Sequence, residues 1–530
     1  MAMRRQRARN ELPAAARRLR VASACRTLPM SLLALAALPA LGQDAGATDD
    51  QTAPAARHFV MQPRISVQET LSDNVNLSQK REAGVISAVS PGVHIASEGA
   101  RVSGTLDYSL TGIVYSGGQR PTQIQNSLTA RGNAVLVEHL LFVDASAGIT
   151  HQSASAVGPL TTSSYSGTNV QEIGTASISP YLRNRLGDFA QLELRDTATY
   201  TNARHSVVGD SHGNLAAARL DGLNAGQLTW WASISSQRTH FRASDVEATD
   251  NQWLLGLQWR PDIDFKSTVF GGRERNNYLL GSEADSTTYG ATGLWTPNER
   301  TRLELDWQRH SYGASHTVAL DYRLMRSALR ASDVSAVNLG QPQNNSVVAT
   351  NYDLLYLEFA SIVPDPVQRD ALVRAYLSTL GIDPNGQVVA AFATSGPTHL
   401  HTQQLAYSIE GLRTNWIASL TQGHTEQLGS NALPVGFGNF SSVRTRGGSL
   451  TASHKLTPTE SANLSLSYQQ NLGMAISGTE VQSNLRTLLA TWSSRPGPMS
   501  TLTVSLRHAQ GGGTGAYTEN AVIGTFVQNF

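Results

Sequence analysis

ARVSGTLDYSLTGIVY, residues Ala100 to Tyr115, puts Val102, Gly104, Leu106, Tyr108 and Leu110 at alternate positions, with Arg101, Ser103, Thr105, Asp107 and Ser109 between them. Successive side chains of an extended chain point to opposite faces, so the stretch reads as a strand with one apolar and one polar face. The pattern recurs from Arg64 onward. In TRLELDWQRH (Thr301 to His310), Leu303, Leu305 and Trp307 stand opposite Arg302, Glu304, Asp306 and Gln308. In NLSLSYQ (Asn463 to Gln469), Leu464, Leu466 and Tyr468 share one face, and Trp253, Leu255, Leu257 and Trp259 share another within Gln252 to Arg260.

A two-sheet sandwich also alternates. Three features favour a membrane barrel. Many runs are about 12–16 residues long, where a tilted spanning strand needs roughly 9–11 and strands of soluble proteins average about 5–6. The polar faces carry mid-strand charges (Arg101, Asp107, Arg302, Glu304, Asp306), which suit a wet lumen, and these five are the candidate lumen-facing residues. All eight Trp fall inside expected strands, where aromatic girdles need them. Short turns are expected near Ser97–Ala100, Val137–His139, Arg185–Asp188, Leu223–Gly226, Pro261–Ile263, Thr296–Arg300, Met325–Ser327, Glu410–Leu412, Thr457–Glu460 and Arg495–Met499. Longer Gly/Ser/Asn/Asp-rich connections lie between them, such as Gln152–Thr168, Asn202–His212, Ala243–Asp250 and Gln427–Phe440. Ten short periplasmic turns joining strand pairs, plus a first and a last strand, predict about 22 strands (20–22). The expected fold is all-β, a transmembrane antiparallel up-and-down barrel. The chain ends AVIGTFVQNF, and Val522, Phe526 and terminal Phe530 share a face, as in the signal read by the barrel-assembly machinery.

Composition agrees. Only 15% of the 530 residues are charged, against roughly 25% in soluble domains. No run approaches the ~20 apolar residues of a spanning helix. Eight arginines between Arg4 and Arg26, then LPMSLLALAALPALG (Leu28 to Gly42), read as a secretory signal over 1–42. A short periplasmic segment, 43–63, is then expected to precede the barrel at 64–530, too short for a folded N-terminal plug. Cys25, the single cysteine, falls within the signal, so the exported chain is expected to lack thiols, disulfides and cysteine-ligated metal. Residues 1–42 hold eight basic residues and one acidic, so their removal turns a net charge of +1 into −6. An acidic exported chain has no electrostatic reason to bind nucleic acid.

One segment breaks the alternation. Ala336 to Pro397 is expected to be a helical insert between strands 15 and 16, on the outer side. Tyr352 to Ser361 suits a short helix. Asp365 to Gly381 suits a longer one, with Asp365 as cap, Pro366 at the first helical position, Gln368 at the capping-box position and Gly381 as stop. The insert is either a lid or constriction of the lumen, or an ordered surface loop.

RISVQETLSDNVNL (Arg64 to Leu77), SPGVHIASEGARVSGTLDYSLTGIVYS (Ser90 to Ser116) and SIVPDPVQRDALVRAYLSTLGI (Ser361 to Ile382) resemble the PEP-CTERM system-associated outer membrane proteins, found beside exosortase and exopolysaccharide genes. The resemblance runs from about Arg64 to Phe530. It implies an outer-membrane barrel of Gram-negative cells, associated with extracellular polysaccharide production. It implies no defined reaction and no catalytic motif.

No glycine-rich phosphate loop, His-Glu-x-x-His helix or paired-cysteine site is present. No catalytic, cofactor or metal site is therefore expected. His139, Asp144 and His151 lie near one strand, and His310 and His316 flank a short connection. A hydrolase would need Ser and His to converge at one barrel rim, which geometry alone decides. The expected function is a porin-like or gated channel associated with exopolysaccharide export. The alternatives are a non-conducting surface-anchoring barrel and, less favoured, an outer-membrane hydrolase. The expected partners are outer-membrane lipid, the barrel-assembly machinery and exopolysaccharide or its export components.

Overall fold

The computed structural model describes residues 58–530 apart from 118–119, 204–208, 224–225, 280–282, 340–350, 429–439 and 476; of 360–395 it describes Arg369, Val373 and Thr394. The expected signal and the segment up to residue 57 lie outside the described residues, as do Asp365, Pro366, Gln368 and Gly381.

Long alternating segments become strands because, in extended chain, one side of each can face lipid and the other water. In chain order they are β1 (His58–Ser72), β2 (Gly84–Glu98), β3 (Val102–Ser116), β4 (Gln123–Val137), β5 (Leu141–Ser153), β6 (Val170–Leu186), β7 (Ala190–Ala203) and β8 (Ser211–Gly222). Then come β9 (Leu228–Phe241), β10 (Val246–Asp262), β11 (Phe265–Asn276), β12 (Ala284–Asn298), β13 (Thr301–His310), β14 (Gly313–Arg323) and β15 (Ser327–Asn338). After helix α1 (Asn351–Glu358) follow β16 (Thr398–Glu410), β17 (Thr414–Gln427), β18 (Phe440–Lys455), β19 (Glu460–Ala475), β20 (Glu480–Gly497), β21 (Ser500–Gly513) and β22 (Tyr517–Asn529). Each strand pairs antiparallel with the next. β1 then pairs with β22, from Arg64↔Asn529 to Ser72↔Ala521, so the 22-stranded sheet closes.

The ten connections at one end are two to five residues long. The other end carries the longer ones, including 73–83, 154–169 and the insert 339–397. By the rule for such barrels, the short-turn end is periplasmic. Several boundaries differ from expectation. β1 begins at His58, not Arg64, because His58–Pro63 pair with β2 alone and extend below the end of β22. Ala336 to Asn338 belong to β15, held by pairing to Thr398–Leu400. Val246 to Asp250 pair with Gln237–Phe241, which shortens the expected Ala243–Asp250 loop to 242–245.

The register fixes which side chains face which way. Arg64 lies opposite Gly92, and Asp107 opposite His94. Thus Arg64, His94 and Asp107 share the inner face, while Val67, Val89, Leu110 and Val114 face out and are 38%, 44%, 38% and 54% exposed. Leu255, Leu305, Leu405, Leu420, Leu466, Leu488 and Leu506 continue this apolar belt, all exposed. Such a belt belongs against acyl chains, not water. Seven of the eight Trp have outward parity, and five of these (Trp230, Trp259, Trp295, Trp416, Trp492) lie toward the periplasmic turns. Trp231 is the exception to the girdle expectation. It points inward, 8% exposed, with its ring 5.8 Å from Phe270. Asp196 also breaks the pattern, facing out at mid-height beside Asn214, whose amide donates to it at 2.9 Å.

Leu464→Arg, on the outer belt, should lower the unfolding free energy in lipid by roughly 2–4 kcal/mol. Ser467→Arg, on the neighbouring inner face, should cost much less. Urea titration of refolded protein, read by heat-modifiable gel migration, checks the difference.

Candidate functional site

The lumen is the candidate site, built from inward positions. On β1–β3, Arg64 donates two hydrogen bonds to Asp107, at 2.6 and 2.8 Å, with His94 Nδ1 3.4 Å from the same carboxylate. On β5–β7, Arg195 donates to Asp144 at 2.9 Å and to Ser179 at 3.1 Å, and its guanidinium lies 3.9 Å over the Tyr181 ring. Glu193 joins Arg195 to Arg183 at 3.2 and 2.7 Å. A cleft of about 750 Å3 opens on this wall, lined in part by Glu98, Arg131, Asn133, Asp144, Ser177 and Arg195. Hydroxyls, amides and forked guanidinium–carboxylate pairs suit a hydroxyl-rich or carboxylate-bearing solute.

The five candidate lumen residues take different places. Asp107 is in the β1–β3 cluster. Arg302, Glu304 and Asp306 lie on the inner face of β13, and Arg302 donates to Glu304 at 3.0 Å. Arg101 is not mid-strand. It sits in the β2–β3 turn, exposed and bonded to Glu138 at 2.8 Å, because the strand begins at Val102. Val522 and Phe526 face out on β22, at 42% and 41% exposure. Phe530 follows the strand and is anchored by its N–H on the Pro63 carbonyl at 2.9 Å.

Two structures narrow the lumen. The first is the insert. Leu354 and Leu355 of α1, each 2% exposed, and Phe359 pack with Ala406 of β16 and Ile417 of β17. Both wall residues have inward parity, since Leu405 and Trp416 face out. The helix therefore lies inside the barrel. Asp353 in its first turn favours the helix N-terminus electrostatically. Arg369 and Val373 are helical; Val373 joins the same cluster, and the Arg369 guanidinium lies 4.7 Å over the Tyr356 ring.

The second is the 154–169 connection, which crosses from β5–β6 to strands near the barrel closure. Leu160 packs with Leu77, Leu485, Ala509 and Tyr517. Its carbonyl accepts from the Tyr517 hydroxyl at 2.9 Å, and the Val157 carbonyl accepts from Thr514 at 2.7 Å. Asn471 donates to the Ala156 carbonyl at 2.6 Å, and Arg120 donates to those of Ser166 and Gly167 at 2.7 and 3.0 Å. Gly515 is required here, because a Cβ at that position would stand 2.4 Å from Pro159. Below the loop Arg507 donates to Glu519 at 2.9 and 3.1 Å, and Ser72 donates to the same carboxylate at 2.9 Å. Both partners are buried, across the seam where β22 meets β1.

The histidines separate. His139 lies in a periplasmic turn, Asp144 faces in, and His151 faces out near Glu172, so the three do not form one site. His316 faces out and His310 faces in. One convergence does occur: His310 Nδ1 is 2.6 Å from buried Glu274, and its Nε2 is 3.0 Å from Ser315 Oγ. Glu274 also accepts from the Ser311 amide at 2.7 Å and from Asn276 at 3.0 Å, so the network pins the β11–β12 and β13–β14 connections. Burial raises the pKa of Tyr278 and Tyr312 in those connections and keeps both hydroxyls neutral. On the outer face, His316 and His401 lie 3.2 and 2.7 Å from one oxygen of Asp333, a donor set that suits a transition-metal ion. Sequence reading expected neither grouping, because the partners are brought together only by register.

A closed ladder, an apolar exterior and a polar, partly filled interior define a transmembrane β-barrel of the outer-membrane type. No family model matches the chain, and no curated protein matches it. Among solved structures it is similar to the FrpB iron transporter from Neisseria meningitidis (F5-1 variant, apoprotein form), with 10% identity, a TM-score of 0.46, and 89% of this chain and 81% of that one covered. It is also similar to the siderophore receptor PirA from Acinetobacter baumannii, at 7% identity, TM-score 0.43 and coverage of 88% and 80%. OccK5 (OpdH) from Pseudomonas aeruginosa gives 11%, 0.32, and 89% and 98%. At these identities and TM-scores the likenesses carry nothing about role or cargo.

Arg507→Ala should destabilise the barrel by about 3–5 kcal/mol, because it leaves Glu519 buried without its cation. Urea unfolding should show Arg507→Met/Glu519→Leu recovering much of that loss.

Proposed function

We propose that this barrel is a gated channel of the outer membrane, narrowed by its own insert and by the 154–169 loop. The observation that carries this reading is α1 seated on the inward residues Ala406 and Ile417. A barrel of 16–18 strands already encloses an aqueous channel, and one of 22 is wider. An internal element is what keeps such a width from leaking. The proposed cargo class is a secreted saccharide. Support comes from the resemblance of Arg64–Leu77, Ser90–Ser116 and Ser361–Ile382 to exopolysaccharide-associated barrels, and from the hydroxyl- and arginine-lined cleft on the inner wall. Location in the Gram-negative outer membrane is part of this reading, supported by the apolar outer belt.

A second reading has one observation in its favour. Ser315, His310 and Glu274 have the hydrogen-bond order of a hydrolytic triad. Labelling of the intact protein by a fluorophosphonate, lost in Ser315→Ala, would establish it; an unlabelled protein leaves the network a structural clamp.

Planar-bilayer recording tests the channel. Deleting 339–397, or introducing Leu354→Asp/Leu355→Asp in α1, should raise open conductance or opening frequency by at least ~2-fold over the parent. Silence in all three, with glycan binding retained, would instead support a surface-anchoring barrel.

A further inference from the structure

The outer face is not uniform from top to bottom. On β18 the outward residues, from the extracellular end down, are Arg444, Arg446, Gly448, Leu450 and Ala452. On β20 they are Arg486, Leu488, Ala490 and Trp492. On β19 between them are Gln470, Tyr468, Leu466 and Leu464. Arginine sits above leucine on both flanking strands. Arg238, Arg273 and Arg309 repeat this outward, upper placement on β9, β11 and β13. Among the described strands, no arginine has outward parity in the periplasmic half. Arg446 stands nine residues above the periplasmic end of β18. At about 2.5 Å of height per tilted residue it lies roughly 22 Å up, at the top edge of a ~25 Å apolar band.

A cleft of about 860 Å3 opens at this point. Its floor exists because Gly448 has no side chain. The register sets Gly448 directly between Leu420 and Tyr468, with Leu450 and Leu466 in the row below. A Cβ at Gly448 would stand 3.1 Å from Leu420 Cδ2. Arg446 overhangs the slot on one side. Arg486 overhangs it on the other, its guanidinium 5.8 Å from the Tyr468 ring centroid. Arg444, Arg446 and Arg486 have no ion-pair partner among the described residues. Unpaired guanidiniums above a leucine-walled slot, on a surface that faces lipid, complement an anionic headgroup whose acyl chain enters the slot. Guanidinium forks match phosphate oxygens in pairs.

We propose that the β17–β21 outer face is a binding site for a phosphorylated, multiply acylated glycolipid of the outer leaflet, with Arg446 and Arg486 on its phosphate and one acyl chain in the Gly448 slot. The site is separate from the lumen and does not depend on what the channel conducts. It also gives the barrel a tighter hold on the outer leaflet along β17–β21 than along β1–β5, where the outward faces carry no arginine.

Native mass spectrometry of the full-length barrel, refolded in detergent and titrated with lipid A, tests this. The parent should retain at least one lipid A through delipidation. R446Q/R486Q should weaken binding about tenfold, equivalent to ~1.4 kcal/mol. G448L, which fills the slot and keeps both arginines, should also weaken it. Dephosphorylated lipid A should bind the parent as poorly as lipid A binds R446Q/R486Q, and inorganic phosphate should not compete at equal concentration. Heat-modifiable migration shows that each variant is folded. Equal retention of lipid A by parent, R446Q/R486Q and G448L would overturn the proposal, as would equal retention of phosphatidylethanolamine.

Discussion

In hydrocarbon no water is present to satisfy a peptide group, so every strand needs a partner on both sides. The pairing of Arg64–Ser72 with Ala521–Asn529 meets that demand at the one place where sequence order cannot. It joins residues more than four hundred positions apart, so its formation carries a large loop-closure entropy. The chain reinforces it chemically. The buried Arg507–Glu519 pair and Ser72 bind across β21, β22 and β1, and the Phe530 amide bonds to the Pro63 carbonyl. Everything else about the molecule, including the enclosed lumen, presupposes this seam.

Closure creates a second problem. Twenty-two strands enclose more space than side chains alone can fill, and the chain solves this with inward-folded segments. Their docking points are apolar spots on a wall that is otherwise polar. Ile86, Ala88 and Ile113 receive Val75 and pack near Tyr165. Leu485 and Ala509 receive Leu160. Ala406 and Ile417 receive α1. Each spot offers only a few buried side chains, so these contacts are weak next to the strand ladder. The proposed gate draws on that difference between weakly docked segments and a fixed wall.

Much of the fold was legible in the sequence because period two has one physical meaning in a long strand. The ten turns, the 22 strands and the position of the insert between β15 and β16 follow from it. What was not legible has common causes. Arg101 has the parity of a lumen residue and lies in a turn, because alternation alone does not say where a strand stops. Which of the consecutive Trp230 and Trp231 faces lipid depends on the strand's register within the sheet, and it is Trp231 that points inward. The Glu274–His310–Ser315 and His316–Asp333–His401 groupings depend on which rungs face each other across strands, information that resides in register. One signal was available and unused: apolar residues at inward parity, such as Ile86, Ile113 and Ile417, mark where loops and the insert dock.

The central claim, that alternate residues of each strand face lipid and an enclosed aqueous lumen, is tested most directly by site-directed spin labelling. Single cysteines would be placed along β19 at Leu464, Ser465, Leu466, Ser467, Tyr468 and Gln469 in a Cys25→Ser background, with the protein reconstituted in bilayers. The account predicts that labels at 464, 466 and 468 collide preferentially with dissolved oxygen, and that those at 465, 467 and 469 collide with a water-soluble paramagnetic complex. Accessibility to the aqueous reagent at all six positions, or a profile without period two, would contradict it.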